Sequence, residues 1–265
     1  MKMKCPLCGG ERIMTAVETP TWRIHACEDC TNAWTDPAPG SIDYAAANFH
    51  QHTVGQSSRR KTLADLPAQW RTSVKMQVAL LQRHLPLGAR LLEIGCGEGL
   101  LLEELKRAGF QVQGVEASET ASATARAAGL NVLTGYFPHP QLRGTFDAVV
   151  MSQVLEHLPS PRDILNEIAK LIPHGRLLLV QTHWLGLMPQ RYKEKWYAWV
   201  PDQHFWHFTP QGLETLARPA GFVREAVEYS SLVHVRPDGS INQFSQIALT
   251  APGGGDQFHL LLKRP

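Results

Sequence analysis

The segment Leu91–Gly99 reads L-L-E-I-G-C-G-E-G and constrains the fold of this chain more than any other stretch. Its apolar residues predict a strand buried on both faces, and the apolar spacing of Leu100–Ala108 predicts a helix. Gly95, Gly97 and Gly99 therefore occupy a strand-to-helix turn, where glycine permits positive φ and close approach of a ligand to the backbone. The pattern predicts a nucleotide-shaped pocket in an α/β fold.

The spacing of these glycines separates two kinds of ligand. A dinucleotide fold needs a third glycine at the position where this chain has Leu100. The chain also lacks the G-x-x-x-x-G-K-S/T run of phosphate-cradling loops. Glu116 ends the next strand-like run, Gln111–Val115, at roughly the 20-residue spacing from which an acid accepts ribose hydroxyl groups. The sequence therefore predicts a ribose at this site and disfavours a pyrophosphate.

Taken together, these residues resemble the class I S-adenosylmethionine-dependent methyltransferases. Glu93–Gly99 has the form of the first motif of that family, and Glu116 matches the acid that ends its second strand. The run Phe146–Leu158 resembles the fourth strand and following turn of the small-molecule branch, and Thr209–Phe222 resembles its late helix. The resemblance implies a doubly wound, Rossmann-like α/β sheet and S-adenosylmethionine as the cofactor.

The resemblance also assigns the cofactor-binding residues. It gives the first acid and the glycine turn to the amino-acid end of the cofactor, the second acid to the ribose, and the start of the turn after the fourth strand to the region near the sulfur. Many relatives place an acid after the third strand for the adenine, whereas this chain has two aromatic residues there, and we expect one or the other to stack on the base. The expected set is Glu93, Gly95, Cys96, Gly97, Gly99, Glu116, Tyr136, Phe137, Ser152 and Gln153.

Two C-x2-C knuckles near the start of the sequence predict a metal site. Their eighteen-residue separation is typical of four-cysteine zinc ribbons, and four thiolates leave no open coordination position, so the zinc is structural. Two disulfides are the alternative, but a chain without an export signal stays in a reducing compartment, which favours metal. His25 is a further candidate for replacing one ligand. The predicted ligands are Cys5, Cys8, Cys27 and Cys30.

The sequence pattern divides the chain into a ribbon, a lead-in and a large domain. We predict a zinc ribbon over residues 1–40, a linker and helical lead-in over 41–87, and a methyltransferase domain over 88–265 with an aromatic lid at 183–208. The polar segment Ser41–Lys61 predicts a solvated linker in spite of the basic residues at its end. Leu66–Leu85 has apolar residues at helical spacing and predicts a helix, and Phe258–Leu262 predicts a last, hairpin-paired strand.

The predicted lid holds four of the seven tryptophans of the chain. Aromatic faces can shield a sulfonium cation and stack on an acceptor, and ligands of open α/β sheets bind at the edge from which this segment leaves. The alternative is that the rings pack the segment onto the rest of the protein.

Histidines supply the candidates for a general base. A base is needed when the acceptor is a hydroxyl or an enolisable carbon, and imidazole suits this task at neutral pH. His157 follows the predicted fourth strand, and His204 matches a histidine in the resembling family, so both are predicted catalytic residues. The alternatives are that His157 only bonds the backbone and that His204 only holds the lid. His204 with His207 forms a weaker candidate metal pair because no acid completes the set.

Charge and composition restrict the partners. A net charge of +2 and a pI near 8.3 give no global field that attracts nucleic acid or an anionic membrane. No apolar stretch approaches the ~20 residues that span a bilayer, and the start of the chain lacks an apolar signal core, so we expect a cytoplasmic protein. The expected partner is a small-molecule acceptor. The sequence does not give the oligomeric state.

The ribbon helps to choose among acceptors. Ala26–Pro39 resembles ribbons of small-molecule methyltransferases linked to sugar, polysaccharide or natural-product pathways. A second group methylates ribosomal RNA, but its last ligand is usually a histidine, whereas this chain has Cys30. We therefore predict transfer of a methyl group to an oxygen or carbon of a small molecule. An RNA methyltransferase and a cofactor-binding protein without catalysis are the alternatives.

Overall fold

The computed structural model of the protein describes residues 3–40, 43–45, 60–230 and 255–265. The strands are β1 (Ile13–Glu18), β2 (Arg23–Cys27), β3 (Ala33–Asp36), β4 (Arg90–Ile94), β5 (Gln111–Glu116), β6 (Val132–Thr134), β7 (Ala148–Ser152), β8 (Arg176–Thr182), β9 (Trp206–His207), β10 (Val223–Ser230) and β11 (Gln257–Lys263). The helices are α1 (Ala68–His84), α2 (Leu100–Arg107), α3 (Glu119–Ala127), α4 (Pro161–Leu171), α5 (Leu187–Tyr192) and α6 (Pro210–Ala217).

A seven-stranded sheet forms the centre of the fold, in the order β10-β11-β8-β7-β4-β5-β6. β4 pairs in parallel with both β5 and β7, and β5 pairs in parallel with β6. The strand order therefore reverses at β4, with β5 on one side and β7 on the other. Open α/β sheets bind ligands at the carboxyl ends of the strands where the order reverses. The prediction of a doubly wound, Rossmann-like α/β fold is confirmed.

The buried strands follow the sequence pattern. Leu91 and Leu92 in β4 are inaccessible to solvent, as are Val149 and Val150 in β7, because parallel strands are covered on both faces. The predicted helices over Leu66–Leu85 and Leu100–Ala108 correspond to α1 and α2. Trp70 departs from the predicted apolar face of α1, since 38% of it is exposed.

The second sheet joins the N-terminal region to the aromatic segment. β1, β2 and β3 are antiparallel, and β9 adds the fourth strand by pairing antiparallel with β3. In this pairing Trp34 lies opposite Trp206. The strands pack on the buried rings of Trp184, Trp196 and Trp199. These three rings therefore form a shared core with the ribbon strands, which is the packing alternative raised by the sequence.

The chain forms two compact units, each assembled from separated stretches. The first contains Met1–Ile42, Gln153–Leu165 and Leu179–Lys263. The second contains Asp43–Ser152, Asn166–Leu178 and Arg264–Pro265. The predicted domain limits stay a prediction. Among the described residues, no helix combines the length and apolar character needed to cross a bilayer.

The last described strand confirms one sequence expectation. β11 pairs antiparallel with β10 over its whole length, as predicted for Phe258–Leu262. The stretch between them, residues 231–254, lies outside the described residues.

Candidate functional site

The turn between β4 and α2 has a backbone that only glycine accommodates well. Gly95, Gly97 and Gly99 have φ values of 72°, 53° and 78°, in the left-handed region. A Cβ added at Gly99 would lie 2.4 Å from Cδ1 of Leu130, so packing as well as conformation excludes a side chain there. The turn predicted from the glycine spacing is therefore present.

Glu116 ends β5 beside this turn, and the backbone holds its carboxylate in place. Oε2 accepts a hydrogen bond from the amide of Gly97 at 2.8 Å, and Oε1 accepts one from the amide of Ser118 at 2.8 Å. The side chain is buried. Two bonds to rigid backbone amides fix the direction of the carboxylate, as a site that recognises a particular pair of ligand hydroxyls requires.

Glu93, the second acid of the predicted set, is buried in β4 next to the turn. Burial raises the pKa of its carboxyl well above the usual range, and the nearby charge of Glu116 raises it further. Within the described part of the chain, Oε2 of Glu93 has no hydrogen-bond partner. A buried polar atom without a partner is costly, so a polar ligand group at this position would be stabilised.

Cys96 lies within the turn, and its side chain packs against apolar neighbours. The side chain is buried and packs with Leu102, Leu130 and Val132. Burial raises the pKa of its thiol, and the two neighbouring acids raise it further, so the thiolate that a nucleophile needs is disfavoured.

Arg60 is a site residue that the sequence analysis missed. Its Nε donates to the carbonyl of Glu98 at 2.9 Å, its Nη2 donates to the carbonyl of Gly99 at 3.0 Å, and its Nη1 bonds Glu103 at 2.8 Å. Only 17% of the side chain is exposed. The prediction of a solvated linker is therefore wrong for Arg60. Most of that linker lies outside the described residues.

The predicted adenine-side aromatics differ in exposure. Tyr136 is 52% exposed, and its hydroxyl donates to Oδ1 of Asp43 at 3.3 Å. Phe137 is partly buried. The role of both residues in stacking on a base stays a prediction.

Ser152 and Gln153 lie at the carboxyl end of β7, as the sequence indicates. The hydroxyl of Ser152 accepts a long hydrogen bond, 3.5 Å, from Nε2 of Gln77. Gln153 has a φ of 56°, which is uncommon for a residue with a side chain and marks local strain. Its buried Nε2 has no partner among the residues that the structure describes.

Glu156, His157 and His204 form a cluster inside the first unit. Ligand atoms of the three side chains all lie within 4.8 Å of one another, and the rings of the two histidines meet edge to face with centroids 4.7 Å apart. Nδ1 of His157 bonds the carbonyl of Gln203 at 3.2 Å. The structure therefore brings both predicted histidines together. Sequence reasoning overlooked Glu156, although it precedes His157 directly in the L-E-H-L turn.

Burial controls the charge of this cluster. It raises the pKa of the Glu156 carboxyl to about 7 and lowers the pKa of His157 to about 4. Burial also lowers the pKa of His204 well below the usual value, with a smaller effect from the two neighbouring histidines. Both predicted catalytic imidazoles are consequently neutral at neutral pH.

His207 lies beside His204, but its ring nitrogens are not among the ligand atoms that meet within 4.8 Å, so the structure gives no support to the weaker metal pair that the sequence raised. Its Nε2 bonds the hydroxyl of Thr35 at 3.0 Å, and its ring centroid lies 6.0 Å from that of His204.

The four predicted zinc ligands converge at one end of the ribbon. Sγ of Cys5 lies 3.8 Å from Sγ of Cys30, and Sγ of Cys8 lies 3.6 Å from Sγ of Cys27. A tetrahedral ion with Zn–S bonds near 2.3 Å places its sulfurs about 3.8 Å apart, whereas a disulfide requires about 2.05 Å. The amide of Gly10 also donates to the sulfur of Cys8. The two sulfur–sulfur distances are those of ligands around one tetrahedral metal ion and are longer than a disulfide bond.

Comparison with known proteins gives a consistent result. Residues 59–227 match the model of a family described as a methyltransferase domain. A ubiquinone biosynthesis O-methyltransferase of Caulobacter sp. strain K31 is 42% identical over 105 residues, which cover 36% of this chain and 41% of that protein. The enzyme of the same name from Xanthomonas oryzae pv. oryzae is 33% identical over 164 residues, which cover 57% of this chain and 66% of that protein. The chain thus spans about two fifths of the first of these relatives.

Solved structures share the fold. Magnesium protoporphyrin IX methyltransferase from Synechocystis, with bound S-adenosylhomocysteine, has a TM-score of 0.59 and 18% identity, covering 84% of this chain and 96% of that one. A Burkholderia thailandensis 1,6-didemethyltoxoflavin-N1-methyltransferase has a TM-score of 0.56 and 16% identity, covering 93% of this chain and 96% of that one.

Proposed function

The chain belongs to the class I S-adenosylmethionine-dependent methyltransferases, and on that premise we propose that it transfers a methyl group from S-adenosylmethionine to an oxygen of a small molecule. The observation that carries the proposal is the Glu116 carboxylate, which two backbone amides orient beside the glycine turn. The names of the curated relatives, which are O-methyltransferases, support oxygen over carbon as the methylated atom.

The residues of the second unit fit this cofactor. Glu116 would accept hydrogen bonds from the ribose hydroxyls, because an ionised carboxylate offers about four acceptor positions and the two amides fix its direction. Glu93 would face the amino-acid end, where its buried oxygen gains a donor. The glycines of the turn have no side chains, so a ligand could approach their backbone closely. When bound, the cofactor supplies an electrophilic methyl group on a positively charged sulfur.

The acceptor side is proposed to use the histidine cluster. An acceptor hydroxyl must lose its proton as its oxygen gains the methyl group. Burial keeps the imidazoles of His157 and His204 in the neutral form, whose ring-nitrogen lone pair can accept that proton, although the lowered pKa also makes each imidazole a weaker base. The segment 183–208 is proposed to exclude water from the acceptor, a role in which its buried tryptophans hold it in place.

We also propose that the four cysteines hold a structural zinc ion. Four cysteine sulfurs within 4.8 Å of one another, two pairs of them at 3.6 and 3.8 Å, support it. A closed set of four thiolates would give the metal no part in methyl transfer. For the acceptor, the finer proposal of a sugar, polysaccharide precursor or natural-product intermediate depends on the resemblance of Ala26–Pro39 to ribbons of such enzymes.

The test uses S-adenosylmethionine labelled with ¹³C and ¹⁴C at the methyl group. The full chain is incubated with separate small-molecule and RNA fractions of a cell extract. Radioactivity in a small molecule, with a product ¹³C resonance typical of an oxygen-bound methyl, is the expected result. Label in RNA contradicts the small-molecule proposal, and a carbon-bound methyl resonance contradicts the oxygen. Calorimetric binding of S-adenosylhomocysteine without label in any fraction indicates a cofactor-binding protein without catalysis.

A further inference from the structure

One hydroxyl group joins the ribbon strand β3 to the segment that carries His204. Oγ1 of Thr35 donates to the carbonyl of His204 at 2.7 Å and contacts Nε2 of His207 at 3.0 Å. All three residues belong to the first unit and are buried. We propose that Thr35 is a positioning residue for His204, through which the amino-terminal ribbon holds the acceptor side of the protein in its working geometry. The inference rests on the proposed function.

The first argument is the direction of the two hydrogen bonds. A carbonyl oxygen can only accept, so the single proton of the Thr35 hydroxyl is directed at the carbonyl of His204. The hydroxyl oxygen then accepts from His207, whose ring must carry its proton on Nε2. One side chain of the ribbon therefore fixes two positions of the same short segment. A valine, which has the same shape, would make neither bond.

The second argument is that Phe205, which follows His204, is bonded on both sides. The amide of Thr35 donates to the carbonyl of Phe205 at 3.1 Å, and the amide of Phe205 donates to the carbonyl of Glu156 at 2.9 Å. Glu156 precedes His157, whose ring meets that of His204 with centroids 4.7 Å apart. The hydrogen bonds thus run from the ribbon strand to the turn with the second histidine. A displacement of β3 would change the approach of the two imidazoles.

The third argument is what a general base requires. Nδ1 of His204 is buried and has no hydrogen-bond partner in the described part of the chain. A base must lie within hydrogen-bond reach of the acceptor proton, and a misplacement of about 1 Å can cost on the order of 100-fold in rate. The carbonyl that Thr35 holds and the imidazole belong to the same residue. Loss of this bond would therefore move the proposed base directly.

The alternative is a purely structural role for Thr35. β-Branched side chains fit a pleated sheet, so a threonine in β3 needs no functional reason. Valine is β-branched as well and preserves this fit, whereas serine preserves the hydroxyl and loses the methyl group. The two substitutions therefore separate the shape of the side chain from its hydrogen bonds.

The experiment compares the wild-type full chain with Thr35→Val and Thr35→Ser. Each transfers label from S-adenosylmethionine to the small-molecule fraction that the wild type methylates, and a dilution series of that fraction separates kcat from the KM for the acceptor. We expect kcat of Thr35→Val to fall by about 10–100-fold, while kcat of Thr35→Ser stays near that of the wild type. Calorimetry should give all three chains the same affinity for S-adenosylhomocysteine. Assays are run below the unfolding temperature of every variant, measured by tryptophan fluorescence.

Thr15→Val is the matched control. The hydroxyl of Thr15 also contacts an imidazole, Nδ1 of His25, at 3.3 Å. Thr15 lies in β1, at the opposite edge of the ribbon sheet from β9. The control therefore removes the same kind of contact from the same sheet, and it should keep the kcat of the wild type.

NMR of the wild type tests the direction of the hydrogen bonds without a substitution in the ribbon. Burial lowers the pKa of His207 to about 3, so its ring is neutral at pH 7 and carries one proton. In a chain labelled with ¹⁵N in the histidine rings, we expect this proton on Nε2, with the signals identified by their loss in His207→Gln. A proton on Nδ1 overturns the proposal, because the Thr35 hydroxyl would then donate to the ring and not to His204.

The remaining outcomes separate this inference from the proposed function. A folded Thr35→Val chain with the kcat of the wild type overturns the inference alone, as does a Thr35→Ser chain that loses as much activity as Thr35→Val. A wild-type chain that labels no fraction overturns the proposed function, and the role of Thr35 in catalysis fails with it.

Discussion

The Oε2 atom of Glu116 accepts a hydrogen bond from the backbone amide of Gly97 at 2.8 Å. The acid that ends β5 is thereby bonded directly to the turn that follows β4. The two sequence motifs, although about twenty residues apart, form one rigid unit at the carboxyl edge of the sheet. A substitution in one motif should consequently change the geometry of the other.

Replacing Glu116 with Gln should weaken cofactor binding by about 1–3 kcal/mol, because an amide cannot accept at both oxygen positions. Calorimetry with S-adenosylhomocysteine measures the effect. Glu119→Gln is the control, since its side chain is 74% exposed and lies on the next helix. Equal affinities of the Glu116 variant and the wild type would reject the ribose assignment.

Arg60→Lys should raise the KM for S-adenosylmethionine by about 5–30-fold, which corresponds to about 1–2 kcal/mol, and leave kcat nearly unchanged. Lysine keeps the charge but cannot span the carbonyls of Glu98 and Gly99 as the guanidinium does. Arg107→Lys is the matched control, because Arg107 pairs with Glu103 without touching the turn. Similar KM values for the two variants would show that the contacts to the turn carry no binding energy.

Glu116 and Arg60 illustrate what the sequence could and could not predict. Glu116 follows an apolar run at a fixed distance from the glycines, so both its element and its role are readable from local pattern. Arg60 contacts the turn across about forty residues and lies in a polar segment without periodicity. Its neighbours Arg59 and Lys61 carry the same charge, so no sequence feature distinguishes the residue that contacts the turn.

Cys5→Ser should abolish stoichiometric zinc and lower the thermal stability of the whole first unit. The effect should extend beyond residues 1–40, because β3 pairs with β9 and Trp184 donates to the carbonyl of Thr31 at 3.0 Å. Metal analysis and thermal unfolding followed by tryptophan fluorescence measure both effects. Cys96→Ala should retain full zinc. A Cys5 variant that keeps one zinc per chain would contradict the ligand set.

Gly212→Ala should destabilise the protein by about 1–3 kcal/mol through overpacking. A Cβ at Gly212 would lie 1.9 Å from Oδ1 of Asn32 and 2.8 Å from the carbonyl of Cys30, so α6 would have to move away from the loop that contains Cys30. Gly40→Ala is the control, because nothing lies within 4 Å of its Cβ position. Chemical denaturation measures the free energy of unfolding of each variant. Equal values for the two variants would show that the loop can move without a loss of stability.

Acid should destabilise the protein through His259. Burial lowers the pKa of this histidine to about 4, below the ordinary value near 6.5 of the unfolded chain. The unfolded state therefore binds more protons between pH 6.5 and pH 4. The contribution of neutral His259 to the free energy of unfolding is fully present above pH 6.5. It falls with decreasing pH, by up to about 1.4 kcal/mol per pH unit for one such group. Unfolding free energies of wild type and His259→Gln across this range should show a shallower pH dependence in the variant. Identical slopes would contradict the assignment.

The histidine cluster marks the other limit of sequence reasoning. Residue type and resemblance single out His157 and His204 in the sequence, yet their close approach depends on how the chain folds between β8 and β9. Glu156 looked like an ordinary polar residue of a turn, since burial is a tertiary property that no local pattern reports. The ribbon cysteines were predictable because their ligand spacing is itself the signal. The incorporation of β9 into the ribbon sheet was not, because a two-residue strand has no detectable periodicity.

The union of β3 with β9 also sets an order of events during protein synthesis. Thr35 and His207 bond each other across a separation of 172 residues. At roughly 5–20 residues per second, a ribosome needs about ten to thirty seconds to make the chain between them. The β3 edge of the amino-terminal sheet therefore stays unpaired until the aromatic segment has been synthesised.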